Sequence, residues 1–91
     1  MQIIDDKEKN RFVVIIDAHQ AYIEYSLKSD YYSLNHTIVD KELSGKGVAS
    51  ELTEKVLMEI KQRGLKIVPS CPFIKKFIAK HPEWEPLVLS R

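Results

Sequence analysis

The stretch from Thr37 to Val56 restricts the fold of this chain more than any other. A β-branched run, Thr37-Ile38-Val39, ends at Asp40, and Gly45 and Gly47 stand one residue apart in the turn that follows. Apolar residues then recur at Val48, Leu52, Val56 and Ile60, with Ala49 and Leu57 widening the stripe. The order is strand, glycine-rich turn, helix. Glycine admits positive φ and close approach of a ligand. Successive N–H groups of the turn and the unpaired N–H groups of the helix start can therefore form one concave, partly positive surface. Such a surface suits a phosphate or pyrophosphate. Gly45-Lys46-Gly47 is not a P-loop, because it lacks the longer spacer and the Ser or Thr after the lysine. It is not a full dinucleotide fingerprint either, since Ser50 stands where the third glycine belongs.

The remaining elements read as a small sheet and a second helix. Arg11 to Ile16 is β-branched and aromatic, Asp17 to Gln20 breaks it, and Ala21 to Leu27 alternates Ala21, Ile23, Tyr25 and Leu27 against Tyr22, Glu24 and Ser26. Ser33 to Val39 places Leu34, His36 and Ile38 on one face and Ser33, Asn35, Thr37 and Val39 on the other. Short loops between these runs favour an antiparallel meander, with a short strand at Ile3 and Ile4 ahead of the polar turn at 5–10. The helix over 47–63 stops at Gly64 and carries Glu51/Lys55 and Glu59/Arg63 pairs on its wet side. A fourth long strand, 65–68, is entered from that helix, which allows a parallel neighbour. Pro69 ends it, and Ser70-Cys71-Pro72 opens a helix over 72–80 with Phe73/Phe77 and Ile74/Ile78 as its apolar stripe and Lys75, Lys76 and Lys80 as its basic side. His81-Pro82 closes it, and Trp84, Leu87, Val88 and Leu89 form a packing flap or a short last strand.

At 91 residues and 44% hydrophobic, the chain has material for one domain, 1–91, around one modest core. The 14 basic and 13 acidic residues leave a net charge of +1, so no global field favours nucleic acid or an anionic membrane and any anion site must be local. The single cysteine has no disulfide partner, the N-terminus turns charged too soon for a secretory leader, and no apolar run approaches the ~20 residues of a membrane span. These features predict a cytoplasmic protein. Asn35-His36-Thr37 matches a glycosylation pattern by chance, within a strand.

Two side chains are candidates for chemistry. Cys71 is either a small buried hydrophobe or, at a helix N-terminus with lysines near it, a thiol whose thiolate is favoured. His36, between Leu34 and Ile38, reads first as a hydrogen-bonded core residue and second as a general base acting through water. The histidines and Cys71 show no metal-ligand spacing, which predicts no metal.

The run Val39-Asp40-Lys41-Glu42-Leu43-Ser44-Gly45-Lys46-Gly47-Val48-Ala49, followed by Pro69-Ser70-Cys71-Pro72-Phe73 and preceded by His36-Thr37, resembles the short single-domain members of the GNAT (Gcn5-related N-acetyltransferase) superfamily. The resemblance spans about Arg11 to Val88. It implies an α+β fold, a compact, largely antiparallel mixed sheet flanked by two helices. It implies acetyl-CoA as cosubstrate, held by Val39, Gly45, Lys46, Gly47, Val48 and Ala49, with Lys46, Lys75 and Lys76 neutralising its phosphates. It also implies that a splayed sheet edge beyond Val39 donates backbone hydrogen bonds, that Cys71 lies near the thioester, and that an unidentified amine or protein is the acceptor. The expected assembly is a monomer or weak dimer. The wider signature is Q/R-x-x-G-x-G/A, and Glu42 occupies its first position, so a coenzyme cradle here is built from backbone. Two functions follow, an N-acetyltransferase and a module that binds coenzyme A or a protein without transfer.

Overall fold

The computed structural model describes residues 1–89. Five strands form one sheet in the order β1 (Ile4–Asp6), β2 (Arg11–Ile16), β3 (His19–Leu27), β4 (Tyr31–Val39) and β5 (Lys66–Pro69). The first four pair antiparallel, and β5 runs parallel to β4. Helix α1 (Val48–Gln62) links β4 to β5, and α2 (Pro72–Lys80) follows β5. The α+β architecture read from the sequence is the one observed. The core lies between one sheet face and both helices: Phe12, Ile23 and Leu34 from the strands meet Leu52, Val56 and Ile60 of α1 and Ile74 and Ile78 of α2. The tail Pro82–Leu87 is a 3-10 turn that buries Trp84 and Leu87, and Val88 bridges Ile67 along the outer edge of β5. None of the helices in the described residues is long and apolar enough to cross a membrane.

One irregularity in β4 departs from the simple alternation. Glu24 of β3 is opposite His36, but Tyr25 is opposite Leu34, so Asn35 is an extra residue. A β-bulge of this kind reverses which side chains face the core beyond it. Tyr32 and Leu34 point inward before the bulge, and afterwards the half-buried Thr37 and Val39 do, while His36 and Ile38 are exposed on the other face. The expectation that His36 is a core residue beside Leu34 and Ile38 is therefore corrected. Side-chain hydrogen bonds hold the irregularity: the Asn35 amide donates to Ser26 Oγ (3.0 Å) and accepts from Ser33 Oγ (2.7 Å), which lies 3.1 Å from Ser70 Oγ.

At the opposite end of the sheet Arg63, at the end of α1, gathers the first strand and the helix into one network. Its guanidinium donates to Asp5 (2.9 Å), to the Tyr32 hydroxyl (2.6 Å) and to Glu59 (2.9 Å), and it lies over the Phe12 ring. Tyr25 donates to the other Asp5 oxygen at 2.5 Å. Burial first, then this bond to Asp5, holds the Tyr25 phenol well above its usual range. Burial would lower the Arg63 pKa, but the hydrogen bonds to Asp5, Glu59 and Tyr32 outweigh it and raise it. The Glu59/Arg63 pair is thus one edge of a partly buried cluster rather than a solvated surface pair.

The β2–β3 connection is shorter than the sequence suggested. Ile16 pairs with His19, leaving a two-residue loop of Asp17 (φ 50) and Ala18 (φ 68). Both take the left-handed conformation that such hairpins require. No glycine marks the loop, so β3 begins two residues earlier than the pattern indicates. An L-residue with a Cβ pays ~1–2 kcal/mol in this conformation, partly offset by the extra entropy glycine loses on folding. Ala18→Gly should therefore raise stability by about 0.5–1 kcal/mol, seen as a melting temperature higher by roughly 2–8 °C. An unchanged or lower melting temperature would contradict this reading of the loop.

Candidate functional site

Two halves of a cleft meet where β4 leaves the sheet. The first half is the turn into α1. Asp40 closes β4 by accepting from the Gln20 N–H (2.7 Å, Oδ2) while its own N–H donates to the Gln20 carbonyl (2.9 Å). The chain then makes one 3-10 turn over Lys41–Leu43, and buried Leu43 anchors it to the core. Gly45 and Gly47 follow with φ of +76 and +74, and Gly47 is the N-cap of α1 with no side chain to satisfy the first N–H groups. A Cβ built on either glycine meets no atom within 4 Å, so the space beside both is open. A side chain at either position would project into that space and strain the backbone.

The second half is the separation of β4 from β5. Pairing between them stops at Leu34 opposite Pro69, and proline has no N–H to continue the ladder. The Leu34 carbonyl instead accepts from the Cys71 N–H (2.9 Å) as the chain turns into α2. From Asn35 to Val39 no strand lies along the β5 side of β4 among the described residues. The splayed edge therefore starts at the bulge, before Val39 rather than beyond it.

Cys71 sits in this wedge as the N-cap residue of α2, only 5% exposed. Its sulfur is 3.4 Å from Thr37 Oγ1, which the bulge has turned inward. Burial pushes the thiol pKa up. The Thr37 hydroxyl, the N–H groups of Ile74 and Phe73, and the Thr37 N–H on the free edge of β4 all bring it down, and together they leave it below its ordinary value. A neutral thiol is too weak an acceptor to make a conventional cap here. The same amides become strong partners once the sulfur is charged. The sequence pattern assigns this effect to the helix start and to Lys75 and Lys76 together; the helix-start N–H groups and Thr37 carry it, and the lysines do not contribute.

The two halves are joined by Val39 and Phe73. Val39 lies two residues beyond Thr37 on the same face, and Phe73 lies two beyond Cys71. Both line a hollow of about 310 Å³ with Ser44, Gly45, Gly47, Val48, Ala49 and Ser50. Phe73, expected in the apolar stripe of α2, is 36% exposed and walls this hollow instead, while Ile74, Phe77 and Ile78 fill the core. Of the sequence-selected residues, the structure thus brings Val39, Gly45, Gly47, Val48 and Ala49 to one hollow, while Cys71 is buried outside its lining, two residues before Phe73. Lys46, Lys75 and Lys76 are exposed and make no ion pair among the described residues. Glu42 lies 3.6 Å from His19 Nδ1. His36 is on the opposite face of the sheet. No cluster of three or more His, Cys, Asp or Glu residues suited to a metal occurs among the described residues. Thr37 escapes a reading of the sequence because a regular alternation hides a bulge, and Phe73 because the helical period places it with Phe77 in the apolar stripe.

Folding lowers the Cys71 pKa, so between the folded and unfolded values the native state binds fewer protons than the unfolded chain. The stabilising contribution of this group is present above the unfolded value and is lost as pH falls through the folded one. Thiolate absorbance, measured as wild type minus Cys71→Ala, should titrate below a free cysteine, and Thr37→Val should move the midpoint back up. A wild-type midpoint at or above that of the urea-unfolded chain would contradict the hydrogen-bonded thiolate.

The model of a family described as GCN5-related N-acetyl-transferase matches residues 11–87. Four chains of solved structure match. One is a GCN5-like putative N-acetyltransferase from Staphylococcus aureus, determined by NMR in solution, with a TM-score of 0.73, 29% sequence identity and coverage of 99% of this chain and 89% of its own. None of the curated proteins matches significantly. A family match over residues 11–87, a span that includes the strand, glycine turn and helix framing the cleft, establishes that the chain belongs to the GCN5-related N-acetyltransferase family.

Proposed function

We propose that the protein is an acetyl-CoA-dependent N-acetyltransferase acting on an amine. The observation that carries this reading is the hollow beside the Gly45–Gly47 turn, walled by Val39 and Phe73, each two residues along the chain from a member of the buried Thr37–Cys71 pair. The turn is a backbone donor surface suited to a pyrophosphate. The pair holds a thiol among hydrogen-bond donors. The open space beside both glycines fits such a ligand, because the backbone can approach it unshielded. The N–H groups from Gly45 to Val48 take the pyrophosphate, the free edge of β4 takes the pantetheine amides, and exposed Lys46, Lys75 and Lys76 lie where they can reach outlying phosphate charge.

Cys71 is the proposed nucleophile. Its thiolate attacks the acetyl carbonyl carbon, the bond from that carbon to the coenzyme sulfur breaks, and coenzyme A leaves as a thiolate that takes up a proton. A neutral amine then attacks the acetyl-Cys71 carbonyl, the carbon–sulfur bond breaks, the amine proton is released, and the Cys71 thiolate is restored. Exchange between two thioesters is nearly isoenergetic, so the advantage of the covalent route is spatial. The hollow is small, and donor and acceptor can use it in turn. The Thr37 and helix-start donors stabilise the sulfur whenever it carries charge. We assign no step to His36, which is on the other face.

Acetyl-CoA at about 100 times its dissociation constant should add ~2.7 kcal/mol of stability, a rise in melting temperature of roughly ten degrees or more. Gly47→Val should abolish most of that rise and leave the protein folded. Brief incubation with acetyl-CoA and acid quenching should give an acetyl adduct by intact mass spectrometry that Cys71→Ala lacks. Binding without an adduct, together with full transfer by Cys71→Ala, would overturn the nucleophile. No rise in the wild type would overturn the site and favour a protein-binding module.

A further inference from the structure

The helices cover one face of the sheet and leave the other open. Strand register fixes what that face presents. Ile4, Val13, Tyr22 and Ile38 are direct cross-strand partners and form an apolar row from β1 to β4. Beside it, Asp6, Arg11, Glu24 and His36 form a second row in which acid and base alternate. Ile4, Ile15 and Ile38 are 54%, 61% and 44% exposed, so three of the seven large exposed apolar residues among those described lie on this single face. Exposed apolar residues concentrated in one region mark interaction surfaces.

We infer that this open face is an interface between two copies of the chain. The argument is charge complementarity. Place a two-fold axis along the strand direction, midway between β2 and β3 and between two facing sheets. Each row then faces its own copy in reverse order, so Asp6 meets the partner's His36 and Arg11 meets the partner's Glu24. The same operation sets Ile4 against the partner's Ile38 and Val13 against the partner's Tyr22. The alternative axis, across the strands, would bring the charged row against Ile15 and give Arg11 and Glu24 no new partner, leaving Arg11 only its own Asp6 at 3.8 Å, which is costly for desolvated charge. Shape agrees with the first axis. A hollow of about 510 Å³ over β1 and β2 faces the partner's Tyr22 and Ile38. Sheets stacked face to face in this way keep their strands within about 30° of each other, and one patch used twice gives a closed dimer. The wedge between β4 and α2 lies on the helix side and stays open.

Sedimentation velocity across a concentration series tests this. The wild type should shift from monomer to dimer with increasing concentration. Ile38→Lys, at an exposed position, should melt as the wild type does and remain monomeric. Arg11→Glu and Glu24→Arg alone place like charges across the interface and should each weaken association roughly tenfold or more. Mixed together, the two single variants should form a heterodimer. The acid introduced at position 11 of one chain then faces the base introduced at position 24 of the other, and the native Glu24 and Arg11 still meet at the second contact. No change within either chain alone produces that outcome. A wild type that stays monomeric throughout, an Ile38→Lys variant that dimerises normally, or a mixture no more associated than its components would each overturn the inference.

Discussion

The bulge at Asn35 is the constraint on which the rest of the molecule depends. A regular β4 would present His36 and Ile38 to the core and Thr37 to solvent, and the parting of β4 from β5 would rest on Pro69 alone. One extra residue changes this. It rotates Thr37 and Val39 inward, and with Pro69 ending β5 it leaves a free strand edge facing the start of α2. The hydroxyl and amide bonds among Ser26, Ser33 and Asn35 supply the local energy that keeps the irregularity in place. Core packing alone would favour unbroken pairing.

From that one departure comes an electrostatic environment without a cation. The sulfur of Cys71 is buried, which by itself disfavours charge. Thr37 and the first N–H groups of α2 provide enough directed donors to outweigh this. The lysines of α2 are solvated and sit outside that arrangement. The distinction matters for catalysis, because fixed dipoles in a site shielded from water remain effective at ionic strengths that screen surface charge. The Arg63 cluster at the other end of the sheet has a different task. It ties Asp5, Tyr32 and Glu59 together and so holds the edge strand β1 and the end of α1 against the aromatic group Phe12, Tyr25 and Tyr32.

Most of the fold was legible from the residues. β2 and α2 begin and end where hydrophobic period and proline placement put them, and α1 is capped by the glycine that the sequence singles out. Those signals are local, and local propensity and tertiary packing agree there. What was not legible depends on partners distant in sequence. The Asp17–Ala18 loop takes left-handed dihedrals without glycine because the two strands it joins require them. The fate of His36 and Thr37 depends on a register shift that no periodicity reveals, and that of Phe73 on which side of the short α2 meets the sheet. The positive-φ glycine turn that caps α1 was therefore readable, whereas the placement of Thr37 and Phe73 beside the candidate site was not.

Whether the glycine turn, the free edge of β4 and the start of α2 form one coenzyme site, as proposed, is tested most directly by amide chemical-shift mapping with added acetyl-CoA. The largest shifts should fall together on Gly45 to Ala49, on Thr37 to Val39 and on Cys71 to Ile74, with the Arg63 end of the sheet unmoved. Shifts confined to one of those segments, or centred on another part of the surface, would contradict it.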